Sequence, residues 1–375
     1  MNTSFGPWTT AADTGSVANL STFWKRRLAM IPVTYRSSAR LGGRVVVILL
    51  TAAVLVWALP TLRSAAAQAE RKKPMSENQT RTEGPPAKEP AGDAKLREQW
   101  EKLDDKQAAQ LTMQHIQAIG FATHIYLDRH YLDPHDGWFP PAAVPNPNLP
   151  PEKRLSGLVL LLPYLGVKPN YIRPGNPWAL EPFDADVYRA ARELAKKIDL
   201  TKAWDDPANL EAARTVVPIF LVPGGGPFRD ANGYAVSHFA FVRGAKGEDN
   251  GIFPKDKAVK ISEIIDGTSH TMAVGQVHDE LEPWIAAGPF PSRFVYHPSD
   301  KPNQPTFGSQ FGDAAYFAFG DAAGHFLDMG ELLPSTLYAL ATRDGMDYFS
   351  GDDVNRYPSA VEWKAAKKSK SSKEQ

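Results

Sequence analysis

Residues 96–129, LREQWEKLDDKQAAQLTMQHIQAIGFATHIYLDR, form the segment that decides the fold. Mostly apolar side chains recur along this segment at steps of three and four residues, the spacing of one helix face. A second stripe widens the apolar face in the C-terminal half. The pattern predicts one long helix that ends near Arg129 and is packed most deeply in its second half. The first stripe consists of Leu96, Trp100, Leu103, Gln107, Leu111, His115, Ala118, Ala122 and Ile125, and the second of Ile116, Ile119, Thr123 and Tyr126.

Short segments rich in β-branched and aromatic residues, separated by glycine and proline, dominate the rest of the chain and predict β-strands. They are VVPIFLVP (216–223), GYAVSHFAFV (233–242), HTMAVGQV (270–277), AYFAFGD (315–321) and HFLDMG (325–330). Short helices are predicted at 184–198, 207–214 and 335–343, while 155–167 fits either a buried strand or a helical turn. A long helix followed by mainly β-structure predicts an α+β fold, with that helix packed on an antiparallel sheet.

Composition narrows the possible functions. Forty-two basic residues balance 42 acidic ones, so no global field favours a nucleic-acid partner. Because the chain has no cysteine, disulfides, thiolate zinc sites and a cysteine nucleophile are excluded. A hydrophobic content of 43% is sufficient to build a folded core.

Residues 45–62, VVVILLTAAVLVWALPTL, contain no charged side chain and follow a basic segment. As a helix they would be about 27 Å long, close to the thickness of a bilayer core. The basic flank should stay in the cytoplasm, so we predict a single-pass anchor with an extracytoplasmic C-terminal part. The alternative is a signal peptide cleaved near Ala69, which would leave a periplasmic or secreted protein.

The remaining domain boundaries follow from composition. Residues 1–44 predict a disordered cytoplasmic lead, and the charged, proline-rich stretch 63–95 predicts a flexible linker. Residues 96–363 predict the globular head. The lysine-rich end, 364–375, lacks an apolar face and predicts a disordered basic tail.

Several stretches together resemble an exported bacterial family that is known by a domain of unknown function and is related to pilins and type II secretion pseudopilins. The stretches are QHIQAIGFATHIYLDRH with GWFPPAA, AWDDPANLEAARTVVPIFLVPGG, ISEIIDGTSHTMAVGQV, and FAFGDAAGHFLDMG with TLYALATRDG. The resemblance implies a pilin-like head.

This chain departs from the family pattern at several positions. The C-terminal family motif is a histidine, nine residues, then Asp-Gly; here Phe311 and Ala322 replace the histidine and glycine, and only Asp321 remains. Pilin-type members also carry a glutamate motif at the start of the apolar helix, whereas here Arg44 runs directly into Val45.

The block at Asp266, Gly267, Thr268 and Ser269 could hold a catalytic carboxylate and hydroxyl beside His270, or could simply be a turn. Asp-Gly favours a tight turn, and Thr and Ser bond nearby backbone groups, so a structural turn is the favoured interpretation. Adjacent residues in a strand point to opposite faces, which argues against a Ser269–His270 dyad.

Two weaker candidate sites remain. His124 and Asp128 stand four residues apart on the predicted helix and could share a metal ion. The alternative is an ordinary solvated helix end with a capping or packed histidine. Tryptophans in proline-rich loops could stack on sugars or peptides, although their commoner role is to pack loops onto the core. These are Trp138, Trp178, Trp204 and Trp284.

The favoured hypothesis is a non-catalytic, membrane-anchored envelope protein with a structural or interaction role and no cofactor. Its expected partners are the membrane, through residues 45–62, and envelope proteins or polysaccharide. The alternatives are a metal- or carbohydrate-binding extracytoplasmic module and an extracytoplasmic hydrolase.

Overall fold

The computed structural model describes residues 90–129, 137–170, 179–182, 185–288, 292–300, 304–345 and 356–371. The predicted lead (1–44), anchor (45–62) and most of the linker lie outside these ranges. Across the described residues, no helix is both long enough and apolar enough to cross a bilayer.

The described chain contains seven α-helices and eight strands. The helices are α1 (Ala91–Glu101), α2 (Asp105–Arg129), α3 (Leu158–Leu161), α4 (Ala185–Lys196), α5 (Leu210–Ala213), α6 (Pro334–Ala339) and α7 (Ala360–Ser371). The strands are β1 (Val167–Asn170), β2 (Ala179–Pro182), β3 (Phe239–Ala245), β4 (Met272–Gln276), β5 (Ser292–Val295), β6 (Ala314–Phe319), β7 (Gly324–Asp328) and β8 (Arg356–Tyr357).

The predicted α+β class is confirmed, but the main sheet is mixed rather than antiparallel. Its strand order is β5-β3-β4-β6-β7-β8. β3 and β5 pair in parallel, whereas the other neighbours are antiparallel. β1 and β2 form a separate antiparallel pair. A parallel pair requires a crossover connection, and the described residues 246–288 between β3 and β5 form most of it.

Both faces of this sheet are covered, which explains why β4 and β6 are buried at every position. On one face α2 packs its fully buried residues Ile116, Ile119 and Ala122. On the other face Phe307 and Leu337 of α6 cover Val242, Phe317 and Leu327. A strand buried on both faces loses the alternation of apolar and polar residues expected of a half-exposed strand.

The single helix predicted from Leu96 to Arg129 is instead two helices, α1 and α2, separated by residues 102–104. Asp104 causes the break by capping α2. Its carboxylate accepts from the Gln107 amide at 2.7 Å, and the Gln107 side-chain oxygen accepts from the Asp104 amide at 3.0 Å. This reciprocal capping box starts a new helix at this point.

One further segment differs from its predicted structure, and in another the structure shows which of two predicted alternatives is correct. Residues 216–223, predicted as a strand, contain a short 3-10 helix at Pro218–Phe220. The apolar stretch 155–167 takes its helical alternative in α3 and a following 3-10 turn at Leu162–Tyr164. The predicted helices at 184–198, 207–214 and 335–343 correspond to α4, α5 and α6.

The basic tail, predicted to be disordered, is helical as far as Ser371. It belongs to α7, which docks on the head. Trp363 Nε1 donates to the Asp328 carboxylate at 2.9 Å. Lys364 pairs with Asp105 at 3.0 Å, and Lys367 with Asp328 at 2.9 Å. The folded head therefore extends on both sides of the predicted 96–363 range, from Ala91 to Ser371.

Ala322 adopts a left-handed backbone with φ of 65°, at the position where the resembling family has glycine. A non-glycine residue there costs about 1–2 kcal/mol because its Cβ crowds the carbonyl oxygen. We expect Ala322→Gly to raise the free energy of unfolding by about 1 kcal/mol, as measured by urea denaturation. Ala323→Gly next to it is the control, and equal stabilisation by both would contradict the explanation.

Candidate functional site

The two predicted motif turns lie against each other. The Asp321 amide donates to the Thr268 carbonyl at 3.2 Å, and the Asp266 carboxylate accepts from the Gly345 amide at 2.9 Å. Gly267, with φ of 90°, supplies the positive φ that the turn requires. The Asp321 carboxylate in turn accepts from the Ala323 amide at 2.9 Å. The carboxylates of Asp266 and Asp321 therefore both have backbone partners that stabilise the turns.

The expectation that Ser269 and His270 point apart is wrong. They lie in the turn before β4 rather than in the strand, and Ser269 Oγ is 3.2 Å from His270 Nδ1. Both side chains are exposed at the surface. A triad requires an acid that orients the imidazole, and geometry within this turn does not by itself make a catalytic site.

His124 bonds to the protein rather than presenting its Nε2 to a ligand. Its Nε2–H donates to the Gly320 carbonyl at 2.6 Å, so this nitrogen anchors α2 to the turn after β6. The side chain of Asp128 lies outside the described residues. No group of three or more histidine, aspartate or glutamate side chains in the described ranges is arranged to hold a metal ion.

The predicted tryptophan surface is not a single surface. Trp284 is only 1% exposed, and its Nε1 donates to the Thr215 carbonyl at 3.0 Å. This residue is part of the core, which corrects its assignment as a binding residue. Trp138 and Trp204 are half-buried, with Trp204 Nε1 bonded to the Glu152 carbonyl at 3.1 Å. Trp178 lies outside the described residues.

A groove that the sequence did not predict lies between α1, the first turns of α2, the loop 222–228 and α7. Its volume is about 650 Å³. The apolar lining is rich in aromatic and small side chains: Trp100, Leu103, Ala108, Ala109, Phe228, Phe311, Tyr316, Ala360 and Val361. Trp100 and Phe228 meet edge-to-face, with ring centroids 5.3 Å apart.

Charged side chains stand among the lining residues of the groove. They are Arg97, Glu101, Asp105 and Lys364, whose formal charges cancel. The Arg97 guanidinium lies 4.7 Å from the centroid of the Phe228 ring, and the Lys364 ammonium 4.6 Å from that of Phe311. Lys364 also pairs with Asp105. Cations therefore cover one ring face on each side of the groove.

Two buried histidines hold the loop 222–228. The Val222 amide donates to His238 Nδ1 at 3.0 Å, and His238 Nε2–H donates to the Pro227 carbonyl at 3.0 Å. His115 Nδ1–H donates to the Leu221 carbonyl at 2.8 Å. Because Nδ1 of His238 accepts a hydrogen bond, its proton is on Nε2, and burial lowers the pKa of His238 to about 4. The neutral ring thus bridges the two ends of the loop.

The groove escaped prediction because its walls come from four distant parts of the sequence. Trp100 was assigned to the inner stripe of one long helix, although it belongs to α1. No local pattern links the glycines at 224–226 to Phe311 or Lys364.

The segment that runs from α2 through the loop 222–228 to β4 and beyond resembles a known family model. Residues 113–290 match the family described as protein of unknown function (DUF1559). The match supports the expected relation to a bacterial family of unknown function. No curated protein and no solved structure matches the chain.

The DUF1559 match covers just under half of the chain and only part of the groove. It includes the loop 222–228 and both buried histidines, His115 and His238. α1, the first two turns of α2 and α7 lie outside the matched segment. One wall of the groove therefore belongs to the DUF1559 segment, while α1, the first turns of α2, residues 310–316 and α7 supply the rest.

Proposed function

We propose that the protein is a non-catalytic, membrane-anchored envelope protein whose pilin-like head has an interaction role, and that the groove receives the partner. The observation that carries the proposal is the groove itself. Its volume lies within the range of about 300–1,000 Å³ that is typical of binding pockets. Aromatic and arginine side chains, which are enriched at the centres of protein interfaces, contribute to its lining.

The charges of the groove favour a partner segment without net charge. Two cations and two carboxylates line it, and Lys364 and Asp105 already neutralise each other. A strongly acidic or basic segment would meet repulsion from one of the two kinds of charge. An uncharged segment with one large apolar side chain can bury that side chain among Trp100, Phe228 and Phe311 without leaving a charge unpaired.

A protein segment fits better than a sugar. A sugar stacks on an open aromatic face, but Arg97 and Lys364 already cover faces of Phe228 and Phe311. Gly224 and Gly226 are exposed beside these rings and carry no side chain that would block a peptide backbone. We therefore assign the groove to an extended, uncharged peptide segment with an apolar anchor.

The membrane anchor in this proposal rests on the uncharged stretch 45–62 and its basic flank. The pilin-like character of the head rests on the motifs named above and on a long helix packed against a sheet. The groove is independent of both, because its residues all lie in the described head.

The test uses the full-length protein recovered from the membrane fraction with an intact N-terminus and reconstituted in lipid nanodiscs. Fluorescein-labelled heptapeptides of Gly and Ser with a central Phe, Leu or Ser are titrated by fluorescence anisotropy. We expect the Phe and Leu peptides to bind at least tenfold more tightly than the Ser peptide, a difference of about 1.4 kcal/mol or more.

Ala108→Leu, which fills the groove without removing a contact, should weaken Phe-peptide binding at least tenfold. Ala94→Leu adds the same atoms on an exposed position of α1 and is the matched control. Empty nanodiscs correct for binding to lipid. Equal binding of all three peptides, an unchanged affinity in Ala108→Leu, or binding of cellohexaose in place of peptide would refute the assignment. A full-length protein found only in the soluble fraction would refute the anchor.

A further inference from the structure

We propose that α1 is a strap that detaches from the head as a unit, and that its detachment dismantles the groove. The claim that the strap regulates the groove rests on the proposed function. The claim that α1 detaches as a unit is independent of that function, because it follows from how α1 is attached.

One polar attachment of α1 to the head is a largely buried ion pair. Asp93, whose side chain is 7% exposed, receives two hydrogen bonds from Arg229. Arg229 Nε lies 2.5 Å from Asp93 Oδ2, and its Nη2 lies 3.1 Å from Oδ1. Arg229 also donates to the carbonyls of Arg214 and Gly233, which fixes its position on the head. Detachment returns both charges to water, where each is well solvated.

The apolar attachment of α1 is separate from the main core. Leu96 and Trp100 pack against a small cluster formed by Leu221, Phe228 and Val236. The large core beneath α2 and the sheet consists of other residues. A segment with few buried apolar contacts opens at lower free energy than the core does. Loss of α1 would therefore leave the main core intact.

The junction between α1 and α2 allows α1 to leave without unwinding α2. In the Asp104–Gln107 capping box, the backbone amides at the start of α2 find hydrogen-bond partners in α2 and its N-cap residue, without any help from α1. The next turn is also self-contained, since the Ala108 amide donates to the Asp104 carbonyl at 2.9 Å. Residues 102–104 can thus act as a hinge.

Detachment removes one whole wall of the groove. α1 contributes Arg97, Trp100 and Glu101 to the lining, and Arg97 covers the Phe228 ring. Without α1 the loop 222–228 keeps its histidine bonds, but its aromatic side chain is uncovered. A partner bound in the groove must therefore shift the equilibrium of the strap towards the attached state. Because coupling is reciprocal, the factor by which the partner favours attachment is the factor by which detachment weakens partner binding.

Hydrogen exchange followed by mass spectrometry on the full-length protein in nanodiscs, without peptide, tests the strap alone. We expect the amides of residues 95–101 to exchange at least tenfold faster than those of residues 116–122 in α2. Arg229→Gln should accelerate exchange in α1 at least tenfold further and leave α2 unchanged. Arg189→Gln is the matched control, because Arg189 forms an exposed pair with Asp186 on α4.

Leu96→Ala provides a second test that leaves the ion pair in place, and the same selective acceleration of α1 is expected. Equal exchange rates in α1 and α2, or parallel acceleration of both by these variants, would overturn the strap. A final arm adds the Phe heptapeptide, which should slow exchange in α1. If α1 opens selectively but the peptide has no effect, the strap stands and its coupling to the proposed partner is refuted.

Discussion

Trp284→Ala is expected to lower the free energy of unfolding by about 3–5 kcal/mol, the usual cost of removing a large buried aromatic side chain. Trp284 is fully enclosed, its ring lies 5.6 Å from that of Phe220, and its indole nitrogen donates to the Thr215 carbonyl. Alanine would leave a cavity and an unsatisfied carbonyl. Urea denaturation monitored by circular dichroism measures the change.

Trp204→Ala is the matched control for this variant. Trp204 is half-buried and packs edge-to-face on Tyr234 with centroids 5.1 Å apart, so its loss should cost clearly less. If the two variants were equally destabilised, the distinction between a core tryptophan and a surface tryptophan would be wrong.

Acid should destabilise the fold through His238. In the unfolded chain a histidine binds a proton near pH 6.5, whereas burial lowers the pKa of His238 to about 4 in the folded state. Between these values the unfolded state binds more protons, so the free energy of unfolding falls as the pH falls from 6.5 to 4. A difference of this size corresponds to about 3 kcal/mol, present in full above pH 6.5 and lost below pH 4.

His238→Gln removes this titration while retaining a side-chain donor near the Pro227 carbonyl. We expect the variant to be less stable at pH 7 and to lose about 3 kcal/mol less than the wild type between pH 6.5 and 4. His270→Gln, at the exposed turn, controls for the substitution itself. Identical pH profiles for the wild type and His238→Gln would exclude His238 as the source of acid sensitivity.

Sequence patterns predicted the elements that local chemistry determines. The apolar stripe of α2 and the β-branched and aromatic runs of β4, β6 and β7 are found close to their predicted positions. The break between α1 and α2 was missed because Leu103 continues the apolar stripe across it. The signal was present in the sequence, since Asp104 and Gln107 have the spacing of a capping box.

Tertiary contacts overrode local propensity elsewhere. Residues 216–223 have strong strand composition, but Pro218 starts a 3-10 turn and the buried histidines take the backbone groups of Leu221 and Val222. β5 was missed because it is short and because its parallel partner, β3, lies about 50 residues earlier in the sequence. Local periodicity carries no information about such pairing.

Candidate sites were harder to predict than elements because they depend on side chains meeting in space. Sequence reasoning favoured a structural role for the Asp266 turn, and the carboxylates of Asp266 and Asp321 both bond to backbone amides. It had no means of joining Arg97, Phe228 and Lys364, which are far apart in sequence. Trp284 was named among the candidate binding residues because its proline-rich surroundings resemble an exposed loop.

The bond between His124 and Gly320 spans 196 residues, and the pair between Lys364 and Asp105 spans 259. Closing loops of this length costs entropy before any contact is gained, so folding of the head should be slow and should finish late. During synthesis the N-terminal part of the chain leaves the ribosome first, so α2 would be exposed until its later partners are made. Completion waits for α7, and an early stop codon anywhere before Trp363 should leave an aggregation-prone, incompletely closed product.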